Sequence, residues 1–364
     1  MFEGDSMNPK QISRIVIRGF KSIRECDLEL GDLNVIIGAN GAGKSNFISF
    51  FRMIQQMLEQ KLQLFVTQQG GPDSILHFGR KTTRETSFKL FFGANVYSAV
   101  LHPTQDNRLT FEQEKLALPN QWQDASGHAE SHFNVLAKTG GGLYSDFTVM
   151  RNWQVYHFHD TGETALVKQM HGLNVNDYLR PDGRNLAAFL YLLREKYNDH
   201  YQRIVKTIRL VAPFFDDFAL RPNPNNENMI ELEWRHKGED VPFKAFMLSD
   251  GTLRFICLAT VLLQPEKLQP ETIIIDEPEL GLHPFAVGIF AGMARSVSKN
   301  RQIILATQSP DLVNEFAPEN IVVADRQDNA TSFKRLDVAK LEGWLKEYSL
   351  GELWTKNLFG GGPD

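Results

Sequence analysis

The sequence has few cysteines and no long hydrophobic run. Its two cysteines, Cys26 and Cys257, are too few and too isolated for a disulfide framework or a zinc site. No stretch approaches the ~18 uninterrupted apolar residues that a membrane helix needs. The polar, acidic N-terminal residues are not typical of a signal peptide. These absences predict a cytoplasmic protein that has no membrane partner.

The chain also lacks a strong charge bias. Its 39 Lys and Arg residues against 44 Asp and Glu residues leave a formal net charge of −5. A protein covered with phosphate-binding lysines would be basic, although a local basic groove is compatible with this total. The hydrophobic fraction of 42% and the charged fraction of 23% are those of an ordinary globular protein. Sustained heptads and internal repeats are absent, which excludes an extended coiled coil.

Strand and helix patterns alternate at the two ends of the chain. A β-rich run at 33–37 is followed by a glycine-rich loop and by helical spacing from Asn46 to Leu64. The alternation resumes after Ser249, with an apolar strand core at Ile273–Ile275 and a predicted helix from Pro284 to Lys299. Repeated strand–helix–strand order predicts an α/β fold with a parallel sheet and right-handed crossovers.

A complete phosphate-binding pattern follows the strand at 33–37. The motif G-x-x-x-x-G-K-[ST] occupies Gly38–Ser45, after a strand and before a helix as it requires. Its backbone N–H groups and the helix N-terminus favour phosphate oxygens, Lys44 is expected to reach the β- and γ-phosphates of ATP, and Ser45 is expected to ligate Mg²⁺. The predicted nucleotide-binding residues are Asn40, Gly41, Ala42, Gly43, Lys44 and Ser45. A glycine-rich turn that matches by chance is the alternative, and the flanking elements argue against it.

An apolar run that ends in two acidic residues, Ile273–Glu277, is the natural partner of this loop. Asp276, at the end of a buried strand, is predicted to hold Mg²⁺ through its water shell. Glu277 is predicted to polarise the attacking water as general base. The alternative is an acidic pair that caps the following loop, but the two motifs together predict an ATPase.

The position of the P-loop also predicts the domain organisation. The strand that precedes the P-loop (Gly38–Ser45) lies near the N-terminus, whereas the other parallel strands lie near the C-terminus. One nucleotide-binding domain, called the head below, is therefore predicted to be assembled from both ends of the chain, 12–85 and 241–355. Short alternating runs between 88 and 156 predict antiparallel strands, and helical spacing at Asn185–Val211 predicts a helix pair. These patterns predict an inserted β-rich and helical lobe at 86–240.

A third candidate segment, Leu248–Thr252, lies shortly before the Ile273–Glu277 run. Ser249, at a predicted helix start, and the following Asp-Gly offer a hydroxyl and backbone donors to an anion. An ordinary helix N-cap is the alternative, and the position of the segment favours the anion-binding interpretation. Arg254, just after it, is predicted to support the loop or a carboxylate.

Two histidines of the middle region, His157 and His159, alternate along a predicted strand and therefore face one side. No nearby cysteine or acidic cluster completes a metal site with them. They are therefore predicted to be structural or exposed residues.

The P-loop, the segment LSDGT, the run IIIDEPELGLHP and the segment ATQSP together resemble the RecF/SMC-like branch of ABC-type ATPases, a group of AAA-family ATPases. The resemblance covers about 12–80 and 240–355, and Ile17–Ser22 resembles the opening strand motif of this group. It implies a P-loop NTPase head of the ABC type with a mixed or parallel sheet.

The resemblance also implies roles for individual residues. Ser249 and Gly251 would contact the γ-phosphate held by the other subunit, and 279–283 would form the D-loop at the dimer seam. Gln308 occupies the switch position, where many relatives carry histidine. A glutamine can hydrogen-bond to the γ-phosphate or to water but cannot carry a proton, which predicts slow hydrolysis.

The favoured hypothesis is a slow ATPase that forms a homodimer, or a higher oligomer, around two ATP–Mg²⁺ and controls either DNA or a partner effector protein, as in the defence ATPases that this group resembles. One alternative is a non-hydrolysing ATP-sensing scaffold, favoured by Gln308 and opposed by the intact Glu277. Another is a RecF-like DNA repair protein, to which the net charge gives no support.

Overall fold

The structure is a computed structural model that describes residues 10–139 and 150–362. The chain divides into two compact units, neither of which is continuous in sequence. The first unit draws on Met1–Val155, Pro270–Asp276 and Ser298–Asp364, and the second on Tyr156–Gln269 and Glu277–Val297. Within the described ranges, no helix has the length and apolar character that crossing a membrane would require.

In chain order the strands are β1 (Arg14–Phe20), β2 (Ile23–Glu29), β3 (Leu33–Ile37), β4 (Thr86–Phe92), β5 (Asn95–Pro103), β6 (Leu109–Leu118), β7 (Gln121–Ala125), β8 (Gln154–Tyr156), β9 (His171–Gly172), β10 (Phe215–Phe218), β11 (Met229–Ile230), β12 (Glu233–His236), β13 (Phe243–Lys244), β14 (Thr272–Asp276), β15 (Gln302–Thr307), β16 (Ile321–Gln327) and β17 (Ala330–Arg335). The α-helices are α1 (Lys44–Leu58), α2 (Leu62–Gln68), α3 (Phe133–Thr139), α4 (Leu186–Lys196), α5 (Asn198–Val211), α6 (Asp250–Leu263), α7 (Pro284–Val297), α8 (Pro310–Asn314) and α9 (Leu350–Thr355).

The first unit contains a mixed sheet with the strand order β17-β16-β3-β15-β14-β8. Its strands β3, β14 and β15 are buried at every residue, as expected for parallel strands covered on both faces. β3 pairs in parallel with β15 on one side and with β16 on the other, β14 pairs in parallel with β15, and β17 is antiparallel to β16. The predicted α/β fold with a mixed sheet is confirmed.

The second sheet of this unit is antiparallel, with the order β2-β1-β4-β5-β6-β7. Helix α1 packs on it through Phe50, whose ring centroid lies 5.7 Å from that of Phe20 and 5.5 Å from that of Phe88. The same helix also contacts β14 and β15 of the mixed sheet. Because α1 is covered from two directions, its apolar side chains are almost fully buried, and each contributes ~1.5–3 kcal/mol of transfer free energy.

The second unit is mainly helical. Helix α5 packs against α4 and α6, and α6 packs against α7. Two small antiparallel sheets, β10-β12-β13 and β11-β9, accompany these helices. The predicted helix pair at Asn185–Val211 is confirmed as α4 and α5, which are separated at Tyr197.

These units group the middle of the chain differently from the lobe predicted at 86–240. Strand β4 pairs with β1, and β5, β6 and β7 extend the same sheet, so this part belongs to the first unit. The second unit begins at Tyr156. The alternating pattern at 88–125 correctly indicates antiparallel strands but does not reveal that they pair with the N-terminal strand. The division into 12–85, 86–240 and 241–355 stays a prediction.

The helix predicted from Asn46 to Leu64 is two helices in the structure. Helix α1 ends at Leu58, and Gln60 then adopts a φ of 61°, a left-handed conformation that interrupts the helix before α2. Neither glycine nor proline marks this break, so the sequence carries no strong signal for it.

Candidate functional site

The predicted phosphate-binding loop joins β3 to α1 in the first unit. Gly43 is the N-cap of α1 and has a φ of 106°, a conformation that L side chains rarely adopt. A β-carbon at this position would also come within 2.1 Å of Thr331 Oγ1. Both backbone conformation and space therefore require glycine here. No side chain caps this helix N-terminus, which keeps it available as an anion site.

Lys44 bends back over the loop that precedes it. Its side chain is only 6% exposed, and its Nζ donates to the backbone oxygens of Gly38, at 2.6 Å, and Ala39, at 3.0 Å. The ammonium therefore lies inside the curve of the loop. Ser45, the next residue, is exposed at the start of the helix.

Asp276 and Gln308 lie at the same edge of the mixed sheet as this loop. Asp276 ends β14 and is opposite Ala306 in the parallel register, and Thr307, which precedes Gln308, is opposite Ile37 at the end of β3. The carboxyl ends of three adjacent parallel strands thus present the P-loop, Gln308 and Asp276 in that spatial order. Asp276 is 8% exposed, and Gln308 is half-buried.

A cavity of about 480 Å³ opens beside the loop within the first unit. It is lined by Ala39–Ala42 and by residues of the β16–β17 hairpin, namely Asp325, Arg326, Asp328 and Asn329. The backbone of Gly361–Gly362 completes the lining. The loop residues predicted to bind a nucleotide therefore border open space large enough for a small ligand.

The segment Ile17–Ser22 supports the loop from the antiparallel sheet. Ser22 Oγ lies 2.6 Å from Thr331 Oγ1, the side chain that covers Gly43, and accepts a hydrogen bond from Asn46 Nδ2 at 2.7 Å. Lys21 Nζ donates to Ser49 Oγ and to Gln69 Oε1, and burial, followed by the charge of Arg52, lowers the Lys21 pKa. Sequence reasoning missed Thr331, which no motif marks.

In the second unit, Ser249 is the N-cap of α6. Its Oγ accepts a hydrogen bond from Thr252 N at 3.2 Å and lies 2.8 Å from Thr252 Oγ1. The N-cap interpretation is therefore correct as a structural role, and the exposed position of Ser249 leaves a further role in anion binding open. Gly251 follows in the first turn, where a β-carbon would come within 2.3 Å of the Gly281 oxygen. The start of α6 therefore packs directly on the predicted D-loop.

Arg254 holds this arrangement together from one helical turn further along α6. Its guanidinium is buried and donates to three backbone oxygens, those of Phe158 at 2.8 Å, His159 at 3.2 Å and Leu280. Burial lowers the Arg254 pKa, but an arginine keeps its charge at neutral pH. Arg254 therefore supports the segments at Phe158–His159 and Leu280, and its predicted support of the Leu248–Thr252 loop stays a prediction.

Glu277 directly follows Asp276 and has a φ of 46°, which is uncommon for a residue other than glycine. Its Oε2 lies 3.7 Å from His159 Nε2, and both side chains are about one quarter exposed, at 23% and 24%. The imidazole ring of His159 is in turn 3.6 Å from that of His157, centroid to centroid. Sequence reasoning placed these histidines on one face but did not connect them with Glu277.

Comparison with known proteins agrees with this geometry. The family described as "AAA domain, putative AbiEii toxin, Type IV TA system" matches residues 33–314. An OLD nuclease of Thermus scotoductus is 24% identical over 93% of this chain and 67% of its own length. The energy-coupling factor transporter ATP-binding protein EcfA2 of Staphylococcus aureus is 27% identical over 50% of this chain and 71% of its own length.

Solved structures show the same fold. An Smc head bound to the C-winged helix domain of ScpA superposes with a TM-score of 0.61 at 14% identity, covering 92% of this chain and 99% of that one. An Smc head domain derived from Pyrococcus furiosus, bound to the C-terminal domain of ScpA, has a TM-score of 0.58 at 14% identity, covering 92% and 98%. The chain has an SMC head-like α/β P-loop NTPase fold, and it belongs to the AAA-domain family that matches residues 33–314.

Proposed function

We propose that this protein is a slow ATPase that closes head to head around two ATP–Mg²⁺. The observation that carries the proposal is the placement of the P-loop, Asp276 and Gln308 at the carboxyl ends of three adjacent parallel strands. Ligands of open α/β sheets bind beyond the carboxyl ends of the strands. A phosphate-binding loop, a carboxylate and a polar amide at this edge suit a nucleotide triphosphate.

The P-loop residues fit ATP. The backbone of Asn40, Gly41 and Ala42 would face the phosphates, and the uncapped N-terminus at Gly43 supplies a favourable dipole for negative charge. Lys44 already lies inside the loop, where its ammonium can exchange the Gly38 and Ala39 oxygens for the β- and γ-phosphate oxygens.

Ser45 and Asp276 would hold Mg²⁺, since a hydroxyl and a carboxylate are hard oxygen donors of the kind this ion prefers. When bound, Mg²⁺ supplies positive charge that offsets the negative charge of the phosphates. Glu277 would accept a proton from the attacking water. Gln308 can orient that water by hydrogen bonding but takes no proton from it, which supports a slow rate.

Dimerisation is supported by exposed apolar side chains beside Ser249 and just after 279–283. Phe246 and Met247 directly precede the Leu248–Thr252 segment and are 63% and 56% exposed, and Phe285, just after the predicted D-loop, is 58% exposed. Clusters of large exposed apolar residues are uncommon on monomers and mark interaction surfaces. In the proposed dimer, Ser249 and Gly251 of one subunit contact the γ-phosphate bound by the other. The same surface could seed a higher oligomer.

The dimer is proposed to control either DNA or a partner effector protein, in antiviral defence. The family description names a toxin, which supports an effector protein, whereas one relative is named as an OLD nuclease, which supports DNA. DNA binding that requires phosphate contacts weakens steeply with salt. The test measures DNA affinity over a range of salt concentrations. If the logarithm of the affinity does not change with the logarithm of the salt concentration, DNA is excluded as the partner.

The decisive experiment measures mass with and without ATP, and phosphate release, for the wild type and Glu277→Gln. We expect slow turnover by the wild type and an ATP-trapped dimer of the variant that releases no phosphate. Glu227→Gln is the matched control, since Glu227 is an exposed loop residue and the change in charge is the same. A mass that ATP leaves unchanged, with no phosphate release by the wild type, rejects the proposal.

Gln308 favours a second function, a non-hydrolysing scaffold that binds ATP to hold an effector in check. The same experiment separates the scaffold from the ATPase, because only the ATPase releases phosphate. The scaffold binds ATP, without phosphate release, and Glu277→Gln then behaves as the wild type does. Restoring a proton-carrying side chain by Gln308→His would accelerate a slow ATPase but would leave a scaffold inactive.

A further inference from the structure

His159 lies against Glu277, the residue to which the proposed function assigns the attacking water. The Nε2 atom of His159 is 3.7 Å from Glu277 Oε2. This separation is longer than the ~2.7–3.2 Å of a direct N–H···O hydrogen bond, so the pair is an ion-pair contact when His159 is protonated. Both groups belong to the second unit, and both are partly open to solvent.

The backbone of His159 is fixed to the segment that carries Glu277. Arg254 donates to the oxygens of Phe158 and His159 with two of its nitrogens and to the oxygen of Leu280 with the third. Leu280 N in turn donates to Glu277 O at 3.3 Å. One buried guanidinium therefore sets the spacing between the histidine and the glutamate.

The ring of His159 is also restrained. It lies against the ring of His157, with 3.6 Å between centroids and 34° between planes, and His157 N donates to Pro181 O at 3.3 Å. In the described part of the chain, no group of three or more His, Cys, Asp or Glu side chains is placed to hold a metal ion.

We propose that His159 is a positioning residue for Glu277. Its Nε2–H donates to Oε2 of the carboxylate, which leaves Oε1 directed at the attacking water. A side chain held to a fixed orientation reacts faster than a free one, because the orientation is established before the reaction. The inference rests on the proposed function, because that function assigns to Glu277 the role of accepting a proton from the attacking water.

In this role, His159 provides a hydrogen-bond donor to Glu277, which Gln308 at the switch position is not proposed to provide. The amide of Gln308 can orient water, whereas the carboxylate needs a donor of its own to hold one rotamer. His159 supplies that donor from a segment that precedes Glu277 by more than a hundred residues in the sequence.

The test compares His159→Ala and His159→Gln with the wild type in single-turnover phosphate release, and in the affinity for a fluorescent ATP analogue. We expect His159→Ala to lower the rate by ~10- to 100-fold, with an affinity and a thermal midpoint close to those of the wild type. His159→Gln keeps an N–H donor and should recover most of the rate. Added imidazole should partly restore His159→Ala.

His102→Ala is the matched control, because His102 Nε2 is 3.0 Å from Glu85 Oε2 on the antiparallel sheet, outside the proposed site. This variant should hydrolyse ATP as the wild type does. Equal rates for the wild type and His159→Ala would overturn the inference and leave the ATPase proposal intact. A parallel loss of affinity and rate in both His159 variants would also overturn it, and a wild type that releases no phosphate overturns both proposals.

Discussion

The α-carbon of Gly251 lies so close to the backbone of Gly281 that a β-carbon on Gly251 would come within 2.3 Å of the Gly281 oxygen. Gly281 itself has a φ of 73°, and a β-carbon there would come within 2.7 Å of Arg254 Nη1. The first turn of α6 and the predicted D-loop are therefore packed backbone against backbone. Movement of either segment displaces the other, which couples the two surfaces proposed to meet a second subunit.

Gly251→Ala tests this packing. The added methyl group meets a backbone oxygen, which cannot rotate away, so we expect the free energy of unfolding to fall by roughly 1–3 kcal/mol. Urea unfolding followed by circular dichroism measures the change. Gly343→Ala is the control, because Gly343 has a φ of −66° and nothing within 4 Å of the new methyl group. It should be neutral or stabilise by ~0.4–1 kcal/mol. Equal free energies of unfolding for Gly251→Ala and Gly343→Ala would contradict the packing argument.

Lys44→Ala tests the loop at the end of β3. Removing a hydrogen-bonding charge worth about 1.5–3 kcal/mol should weaken ATP binding roughly 10- to 100-fold. Isothermal titration calorimetry with ATP and Mg²⁺ measures the affinity. Lys346→Ala removes an exposed lysine and should bind as the wild type does. If Lys44→Ala kept the affinity of the wild type, the P-loop would not be the nucleotide site.

The motifs proposed to bind the phosphates and Mg²⁺ could be located from the sequence because each is a continuous stretch. Apolar runs indicate the strand β3 that precedes Gly38–Ser45 and the strand β14 that contains Ile273–Asp276. Contacts between distant segments could not be predicted in this way. His159 meets Glu277 because Arg254 draws their backbones together, and no local pattern encodes that contact.

The pairing of strands is likewise a contact between distant segments that the local sequence does not specify. The run at 154–158 has the alternation of an antiparallel strand, and its neighbours in sequence suggest the antiparallel sheet. In the structure β8 lies instead at the edge of the mixed sheet, next to β14. A strand of three residues has too few side chains to specify its partner from sequence.

Both thiols should be unreactive in the native protein. Burial raises the pKa of Cys26 and of Cys257 to about 12, so at pH 8 each remains a protonated thiol, and the thiolate is the reactive form. We expect an aromatic disulfide reagent to modify neither cysteine in buffer, and both in 6 M guanidinium, roughly the concentration that unfolds most domains. Rapid modification of the native protein would contradict the burial of these side chains.

Glu114 is expected to be the most sensitive polar residue of the antiparallel sheet. Its fully buried carboxylate accepts hydrogen bonds from Tyr97 OH at 2.7 Å, Ser131 Oγ at 2.5 Å and His132 N at 2.6 Å. Burial, followed by the charge of Glu114, raises the pKa of Tyr97 well above its ordinary value. Glu114→Ala leaves these donors without an acceptor and should destabilise the fold by about 3–5 kcal/mol.

Thermal unfolding of Glu114→Ala and of Glu112→Ala measures this effect. Glu112 lies on the same strand but is exposed, so its removal should change stability by less than ~0.5 kcal/mol. The pH titration of tyrosine absorbance gives a second readout, since Tyr97 should ionise only on unfolding. A small effect of Glu114→Ala, comparable to that of Glu112→Ala, would show that the cluster contributes little.

The place of β3 between β15 and β16 determines when the head can form during translation. The P-loop and α1 leave the ribosome early, but the strands that hold β3 follow only after about 260 further residues, at Gln302–Thr307 and Ile321–Gln327. Until then, the apolar residues of β3 and α1 stay without their sheet, and such intermediates depend on chaperones or aggregate. A nascent chain stopped before Gln302 would therefore carry an intact phosphate-binding motif and bind no nucleotide.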